Sequence, residues 1–136
     1  MILPHYSALF EKWAPFAARF MLAVSFLFSA VGKIPGSDSF TLEVELSAGA
    51  GLPFASLMVT LAFIVEIVCS GMLIVGYHVR TAAFLLASFV FLISLTFVRD
   101  LNDHVQMTIF FSCMNLIAGL LYVAVYGAKT LAVQPD

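Results

Sequence analysis

Apolar residues fill four long stretches of this chain, and shorter polar segments separate them. The stretches cover residues 14–31, 52–77, 81–98 and 105–127. Each is close to or above the roughly 20 apolar residues with which a helix crosses the hydrocarbon core of a bilayer. They lack the strict in-and-out alternation of spanning β-strands. The pattern therefore predicts an all-α membrane protein, a bundle of four spanning helices.

The first stretch has a second interpretation, that of a cleaved signal peptide. Ser29, Ala30 and Gly32 loosely resemble the small residues of a cleavage site. Against this interpretation, Arg19 lies inside the apolar run rather than before it, and Glu11 precedes the run. We therefore expect the first stretch to be a retained helix.

Composition agrees with a membrane location. The chain has 136 residues, of which 62% are hydrophobic and 10% charged, whereas soluble domains have roughly 45–50% and 25%. Its mean hydropathy is +1.07. A net charge of −2, with basic residues scattered singly, leaves no basic patch for a nucleic acid. The length predicts a single domain over residues 1–136.

Basic residues near the ends of the spans predict an orientation. In a chain with four spans, both termini lie on the same side as the turn between the second and third spans. Basic residues are more numerous on that side, which favours cytoplasmic termini. That side holds Lys12, Arg19, Arg80 and Lys129, and the other side holds Lys33 and Arg99.

The longest connection, residues 32–51, carries signals for a short interfacial helix. Residues 37–39 offer N-cap side chains, and residues 40–46 are enough for about two helical turns. Gly49 and Gly51 supply a stop, and Pro53 suits the first turn of the second span. The Val, Thr and Phe residues of this loop also suit a strand, but we favour the helix.

Three of the spans carry a stripe of small and polar residues at helical spacing. Helices in lipid associate through such residues, so we expect the three stripes to face one another. The third span offers little beyond Ser88 and Ser94 and is expected to face lipid broadly. The stripes consist of Arg19, Ala23, Phe26, Ala30 and Lys33 in the first span, Ala62, Glu66, Cys69 and Ser70 in the second, and Thr108, Ser112, Asn115, Gly119 and Tyr122 in the fourth.

Glu66 is an acidic residue deep inside a span. At a rise of 1.5 Å per residue, it lies roughly 16 Å from Tyr77, and Asn115 lies roughly 15 Å from Val105. Because the second and fourth spans run in the same direction, Asn115 is the expected hydrogen-bond partner of Glu66. Arg19 lies about 10 Å nearer the end that holds the termini, so an Arg19–Glu66 pair requires an extended side chain or a bridging water.

Two interpretations of Glu66 remain open. An ionisable residue at this depth is by default a proton carrier or a ligand-binding group. Burial instead favours a neutral, protonated carboxyl that only joins helices. Cys69, one turn away, is expected to be an inert packing residue, and Cys113 points elsewhere, so we expect no disulfide between them.

The polar segment 99–104 also has two interpretations. Its Asp, Asn and His side chains could bind a metal ion, or they could form a solvated turn that caps the fourth span. We favour the turn and predict no metal site. His5, His78 and His104 lie at ends or turns rather than within the spans, so no haem is expected between the helices.

Several short motifs lie in a definite order and spacing along the chain. They are Gly32-Lys33, Gly51-Leu52-Pro53, Glu66-x4-Gly71-x4-Gly76-x3-Arg80-x-Ala82-Ala83, and, in the last span, Gln106-Met107, Asn115-Leu116 and Gly119-Leu120-Leu121. In this order and spacing the motifs resemble the DoxX family across residues 16–126. One departure from the family is Met114, because the last helix of DoxX proteins usually has a Lys immediately before the Asn.

The resemblance implies a four-helix protein of the bacterial inner membrane that is associated with quinone-linked oxidoreduction. Relatives include a membrane subunit of thiosulfate:quinone oxidoreductase and components of membrane oxidoreductase complexes in oxidative-stress defence. We therefore expect a quinone- or redox-associated subunit of such a complex. The alternative is a non-catalytic subunit that anchors or assembles a larger complex.

Five residues are candidates for binding a ligand or carrying a proton: Glu66, Asn115, Arg19, Lys33 and Arg80. A quinone between the first, second and fourth spans would contact Glu66 and Asn115, with Arg19 or Lys33 near the mouth. No cofactor is expected to be built into the chain, so the quinone or a partner subunit must carry the electrons. The expected partners are the lipid bilayer and either other membrane subunits or further copies of this chain.

Overall fold

A computed structural model describes residues 4–134, with side chains from residue 7 onward, and every regular element in this range is a helix. Four of the helices, α1, α3, α4 and α5, are long and apolar enough to cross a membrane by length and composition. This confirms the predicted helical membrane bundle, including the four spans. The helices are α1 (Pro4–Val31), α2 (Asp38–Gly49), α3 (Ala55–Val75), α4 (Val79–Phe97) and α5 (His104–Tyr126).

The spanning helices pack in the order α1, α3, α4, α5. Helix α1 packs on α3, α3 packs on α4, and α4 packs extensively on α5. Among the other pairs of spans in the described chain, α1 and α5 touch at few positions, and α1–α4 and α3–α5 do not touch. The bundle therefore has an open side, the gap between α1 and α5, which we call the seam.

Helix α4 is the most deeply buried span, and the expectation that it faces lipid broadly was wrong. Small side chains let neighbouring helices approach closely in a membrane bundle, so the buried alanines of α4 allow it to fit between α3 and α5. Helix α5 buries only Leu120 and Val123. The buried residues of α4 are Val79, Ala82, Ala83, Leu86, Ala87, Val90 and Ser94.

The loop after α1 contains the predicted interfacial helix, α2, which packs on α3. The Ser37 side chain caps it by accepting a hydrogen bond from the Phe40 backbone N–H at 3.1 Å. The helix ends at Gly49, and Gly51 follows with a φ of 90°. The expectation for Pro53 was wrong, because α3 starts only at Ala55 and the proline precedes its N-cap residue.

The turn before α5 has the predicted cap. The Asp103 side chain accepts a hydrogen bond from the Val105 backbone N–H at 3.1 Å. The side-chain oxygen of Gln106 accepts from the backbone N–H groups of Arg99 and Asp100, both at 2.9 Å. These bonds confirm the turn that was preferred for residues 99–104.

The chain after α5 folds back onto the end of the bundle where α1 begins and α3 ends. We call this end the terminal end, and residues 128–134 the strap. The backbone N–H of Val133 donates to the Val75 carbonyl, and that of Gln134 donates to the Gly76 carbonyl, each at 3.1 Å. Ala132 lies directly against Gly76. The strap is thus joined by its backbone to the C-terminus of α3.

Candidate functional site

The stripe predicted on the first span is buried along its whole length. Its five members, Arg19, Ala23, Phe26, Ala30 and Lys33, are all buried. The two alanines allow α3 to approach closely, while the two cations stand at opposite ends of the stripe. Each cation must therefore find its partners inside the protein.

Lys33 pairs with Glu66 in the interface between α1 and α3. Its Nζ lies 3.4 Å from each carboxylate oxygen of Glu66. Ser29, on α1, donates from Oγ to Glu66 Oε1 at 3.2 Å, and Lys33 Nζ donates to the same Ser29 Oγ at 2.7 Å. The three side chains form one connected polar cluster in which Glu66 is 2% exposed.

The expected Glu66–Asn115 pair was wrong. Asn115 is exposed, and α3 and α5 do not approach within 8 Å between Cα atoms. Helix α4 stands between them, so residues at the same depth are not neighbours. The partner of Glu66 is Lys33, which was among the candidates but was not expected to reach the carboxyl. A lysine can place its long apolar stem along a helix so that its ammonium lies far from its own Cα.

Two buried oxygen atoms beside this cluster have no hydrogen-bond partner within the described chain. They are Glu66 Oε2, which meets Lys33 only as an ion pair, and Ser70 Oγ, one turn further along α3. Cys69 is a buried free thiol in the core, as expected for a packing residue.

Arg19 lies at the other end of the stripe, and its hydrogen bonds in the described chain go to backbone carbonyls. Its guanidinium also lies 5.8 Å from the centre of the Phe16 ring. Its guanidinium donates to the carbonyls of Leu73 at 3.3 Å, Thr130 at 2.6 Å and Leu131 at 3.3 Å. Its Nε donates to Pro15 at 3.3 Å. The Leu73 carbonyl belongs to the last turn of α3, where the helix dipole is negative and suits a cation. Arg19 thus connects α1, α3 and the strap.

A groove of about 750 Å³ opens at the terminal end of the seam. One wall is the first half of α1, the other is the end of α5, and the strap contributes the polar end. The lining residues are Phe10, Glu11, Lys12, Ala14, Pro15, Ala18, Arg19, Tyr122, Val123, Tyr126, Gly127, Lys129 and Thr130. None of the aromatic residues or strap residues of this groove was among the five candidates, although Tyr122 belongs to the stripe predicted on the fourth span. No hydropathy pattern or motif after α5 indicates that the chain folds back there.

The polar stripe of α5 faces the seam rather than another stripe. Gly119 approaches Leu22 of α1, and Tyr122 lines the groove. Asn115 lies four residues before Gly119 and seven before Tyr122, so all three residues share one face of α5. The stripe therefore runs along an open gap, which explains why Asn115 stays exposed.

Two aromatic rings and a lysine form the α5 side of the groove. The rings of Tyr122 and Tyr126 have centroids 4.4 Å apart, and Lys129 Nζ lies 4.9 Å from the centre of the Tyr126 ring. Arg80, the last candidate, is exposed in the first turn of α4, apart from both the groove lining and the Lys33–Glu66 cluster.

A model of the DoxX family matches residues 14–99. The match contains both buried cations of α1 and Glu66, and it ends before α5, so the resemblance noted for the last span lies outside it. Neither a curated protein nor a solved structure matches the chain.

Proposed function

This chain belongs to the DoxX family, and we propose that it is a small subunit of a membrane oxidoreductase complex that binds a quinone-class molecule in the seam. The observation that carries the proposal is the groove between α1 and α5. Its volume of about 750 Å³ falls in the usual range for small-molecule pockets, and its lining mixes apolar walls with a few polar groups, as such pockets do.

The lining suits a flat ring with two carbonyl acceptors and an apolar tail. Ala14, Pro15 and Ala18 form an apolar wall on α1, and the paired rings of Tyr122 and Tyr126 offer a stacking surface on α5. Because aromatic rings prefer offset or edge contacts, we expect the quinone ring to pack on the two tyrosines in one of these arrangements. A lipid-soluble ligand can enter such an open seam sideways, directly from the bilayer.

Asn115 adds a hydrogen-bond donor deeper in the seam, on the same face of α5 as Tyr122. Glu66 has a different role in this proposal, because its carboxyl is buried between α1 and α3 with Lys33 and Ser29. It acts as a proton-holding or bundle-stabilising group rather than as a contact of the quinone ring. The electrons pass between the quinone and a partner subunit.

We also propose an inner-membrane location with cytoplasmic termini. Arg19 and Lys33 are buried and paired inside the bundle, so the basic residues that act on topology are the exposed ones. The terminal end has three exposed basic residues, Lys12, Arg80 and Lys129, and the opposite end has one, Arg99. This excess supports cytoplasmic termini, because basic residues are more frequent on the cytoplasmic side. Reporter fusions after Val98 should report the outer side and fusions at Gly127 the cytoplasm; the reverse pattern would refute the orientation.

Quinone binding can be measured through Trp13, the chain's one tryptophan, which lies on α1 beside the groove residues Lys12 and Ala14. With the protein in lipid nanodiscs, a short-chain quinone should quench Trp13 fluorescence in a saturable way. Tyr122→Leu and Asn115→Leu should each weaken the apparent affinity by about tenfold, equivalent to about 1.4 kcal/mol.

Matched controls for this titration lie next to the two variants on α5. Met114→Leu and Leu121→Ala change exposed side chains that do not line the groove and should leave the affinity unchanged. Quenching that rises linearly and equally in all variants would mean that the quinone only dissolves in the bilayer, and the proposed function would fail.

A second candidate function, an anchoring or assembly subunit, is favoured by the exposure of α5. This helix buries only two of its residues, and its polar Asn115 is exposed at mid-span. A protein partner could cover that face. Native mass spectrometry of the gently solubilised complex separates the two functions: quinone bound to this chain supports the first, and a stoichiometric partner without quinone supports the second.

A further inference from the structure

We propose that Arg19 is a positioning residue: by holding the strap against α1 and α3, it fixes the polar end of the groove, and release of the strap opens that end. The effect on ligand binding rests on the function proposed above. The placement of the strap by Arg19 is a separate claim that can be measured without any ligand.

The hydrogen bonds of Arg19 are distributed over three segments of the chain. The Pro15 carbonyl belongs to α1, the Leu73 carbonyl to α3, and the Thr130 and Leu131 carbonyls to the strap. A guanidinium has five donors in a rigid plane, so one side chain can hold all three segments together. The shortest of these bonds, at 2.6 Å, is the one to Thr130 of the strap.

Contacts along the strap complete the attachment. Thr130 Oγ1 donates to the Lys12 carbonyl at 2.7 Å, so a single strap residue is bound to both α1 and Arg19. Further along, Ala132 packs against Gly76, which has a φ of 78° and no side chain at the point of contact. The strap therefore has a defined seat on the terminal end of the bundle.

The strap also supplies part of the groove. Lys129 and Thr130 line it, and Lys129 stacks over the Tyr126 ring. Lys129 and Leu131 have φ values of 53° and 50°, a backbone region that non-glycine residues rarely occupy. Contacts with the rest of the protein must hold the backbone in this conformation. Arg19 supplies two of them, because it donates to the carbonyls of Thr130, which lies between these two residues, and of Leu131 itself.

The partners of Arg19 make release feasible. They are neutral carbonyls rather than a carboxylate, and those of the strap belong to Thr130, which is half-buried, and to Leu131, which is exposed. Water can replace such partners when the strap moves away. Breaking the Lys33–Glu66 pair would instead separate two opposite charges in the buried interface.

A cross-link reports where the strap lies. Val75→Cys and Val133→Cys replace two exposed residues whose backbones are hydrogen-bonded, in a background where Cys69 and Cys113 are serine. A disulfide should form rapidly in this protein. Arg19→Gln should slow its formation by at least tenfold, whereas Arg99→Gln, which removes an exposed positive charge at the other end, should not. Equal rates in both would overturn the proposal.

The same disulfide then tests the effect on the groove. Arg19→Gln should weaken saturable quinone quenching of Trp13 by about tenfold, and closing the Val75–Val133 disulfide in that variant should restore the affinity. A merely structural role for Arg19 predicts no restoration, so failure to restore would refute positioning. Should Arg19→Gln not fold, Arg19→Lys keeps the positive charge but lacks the planar set of donors that bonds three segments at once, and it should show the same weakened affinity and the same restoration by the disulfide.

The outcomes separate this proposal from the proposed function. Slow cross-linking in Arg19→Gln without saturable quinone binding in the unaltered protein would support the strap attachment and refute the quinone function together with the groove effect. Saturable binding with unaffected cross-linking would support the function and refute the role of Arg19.

Discussion

Arg19 and Lys33 share one buried stripe of α1 but are neutralised in different ways. Lys33 meets a carboxylate, Glu66, near the middle of α3. Arg19 has no carboxylate partner in the described chain: it donates to carbonyl oxygens near the end of α3 and in the strap, and it lies over the Phe16 ring. Both cations are buried, Arg19 at 1% exposure and Lys33 at 8%, so depth alone does not explain the difference. Lys33 is stabilised by an opposite charge, which offsets its loss of hydration. Arg19 is stabilised by the negative end of the α3 dipole and by several carbonyl acceptors, and those acceptors that belong to the strap can change.

The largest expected effect comes from removing the acid of the Lys33–Glu66 pair. Glu66→Leu leaves the Lys33 ammonium buried without an opposite charge, which should lower the free energy of unfolding by about 3–5 kcal/mol. Reversible unfolding in mixed detergent micelles, followed by circular dichroism, measures this loss.

A double variant serves as the control for that change. Replacing both partners, Glu66→Leu with Lys33→Leu, removes the unpaired charge and should return most of the lost stability, since apolar replacements of a buried pair are often neutral or better. A double variant as unstable as Glu66→Leu alone would mean that the carboxyl stabilises the bundle through groups other than Lys33.

Arg19→Leu should have a smaller effect on stability, about 2 kcal/mol, because it removes charge-assisted hydrogen bonds without leaving an opposite charge behind. Partners such as Thr130 can turn to water once the strap moves. The same unfolding assay measures the change. If Arg19→Leu were as costly as Glu66→Leu, the contrast between the two cations would be wrong.

How much of this could be predicted from the sequence depends on the range of the forces involved. The spans and α2 follow from hydropathy and from a local cap, Ser37, so their positions were predicted closely except at one end: α1 begins at Pro4, ten residues before the predicted start at residue 14. The order in which the helices pack was not predicted. A polar stripe indicates which face of a helix is buried, but it does not indicate which helix packs against that face. The alanines of α4, such as Ala83, were the available signal that this span is central.

The site divides in the same way. The burial of Arg19 and Lys33 on one stripe follows from helical spacing and was predicted. Their partners were not, since Lys33 reaches Glu66 through its long side chain and Arg19 binds carbonyls that any residue type could supply. The strap has no periodic pattern of its own, so nothing local indicates that Val133 pairs with α3.

Gly76→Ala should disturb the seat of the strap and the guanidinium that holds it, because an added Cβ would lie 2.8 Å from Arg19 Nη1 as well as against Ala132. Gly76 has a φ of 78°, and an added Cβ would overlap Ala132; an L-residue in this conformation is disfavoured by about 1–2 kcal/mol. The expected result is a similar loss of stability together with slower Val75–Val133 cross-linking. Gly71→Ala is the matched control, because it lies within α3 with open space around its Cβ position and should stabilise slightly.

The smallest expected effect concerns Ser29, the hydroxyl that bridges Lys33 and Glu66. Ser29→Ala removes one donor to the carboxylate and one acceptor for the ammonium but leaves the ion pair, so the loss should be about 1 kcal/mol. Ser25→Ala is the control on the same helix: Ser25 is exposed and bonds only to its own helix, at Met21, so its removal should be nearly neutral. The two losses can be compared by the same unfolding assay. Equal losses would mean that Ser29 serves only its own helix, and Lys33 would then hold Glu66 without help, as a simple ion pair.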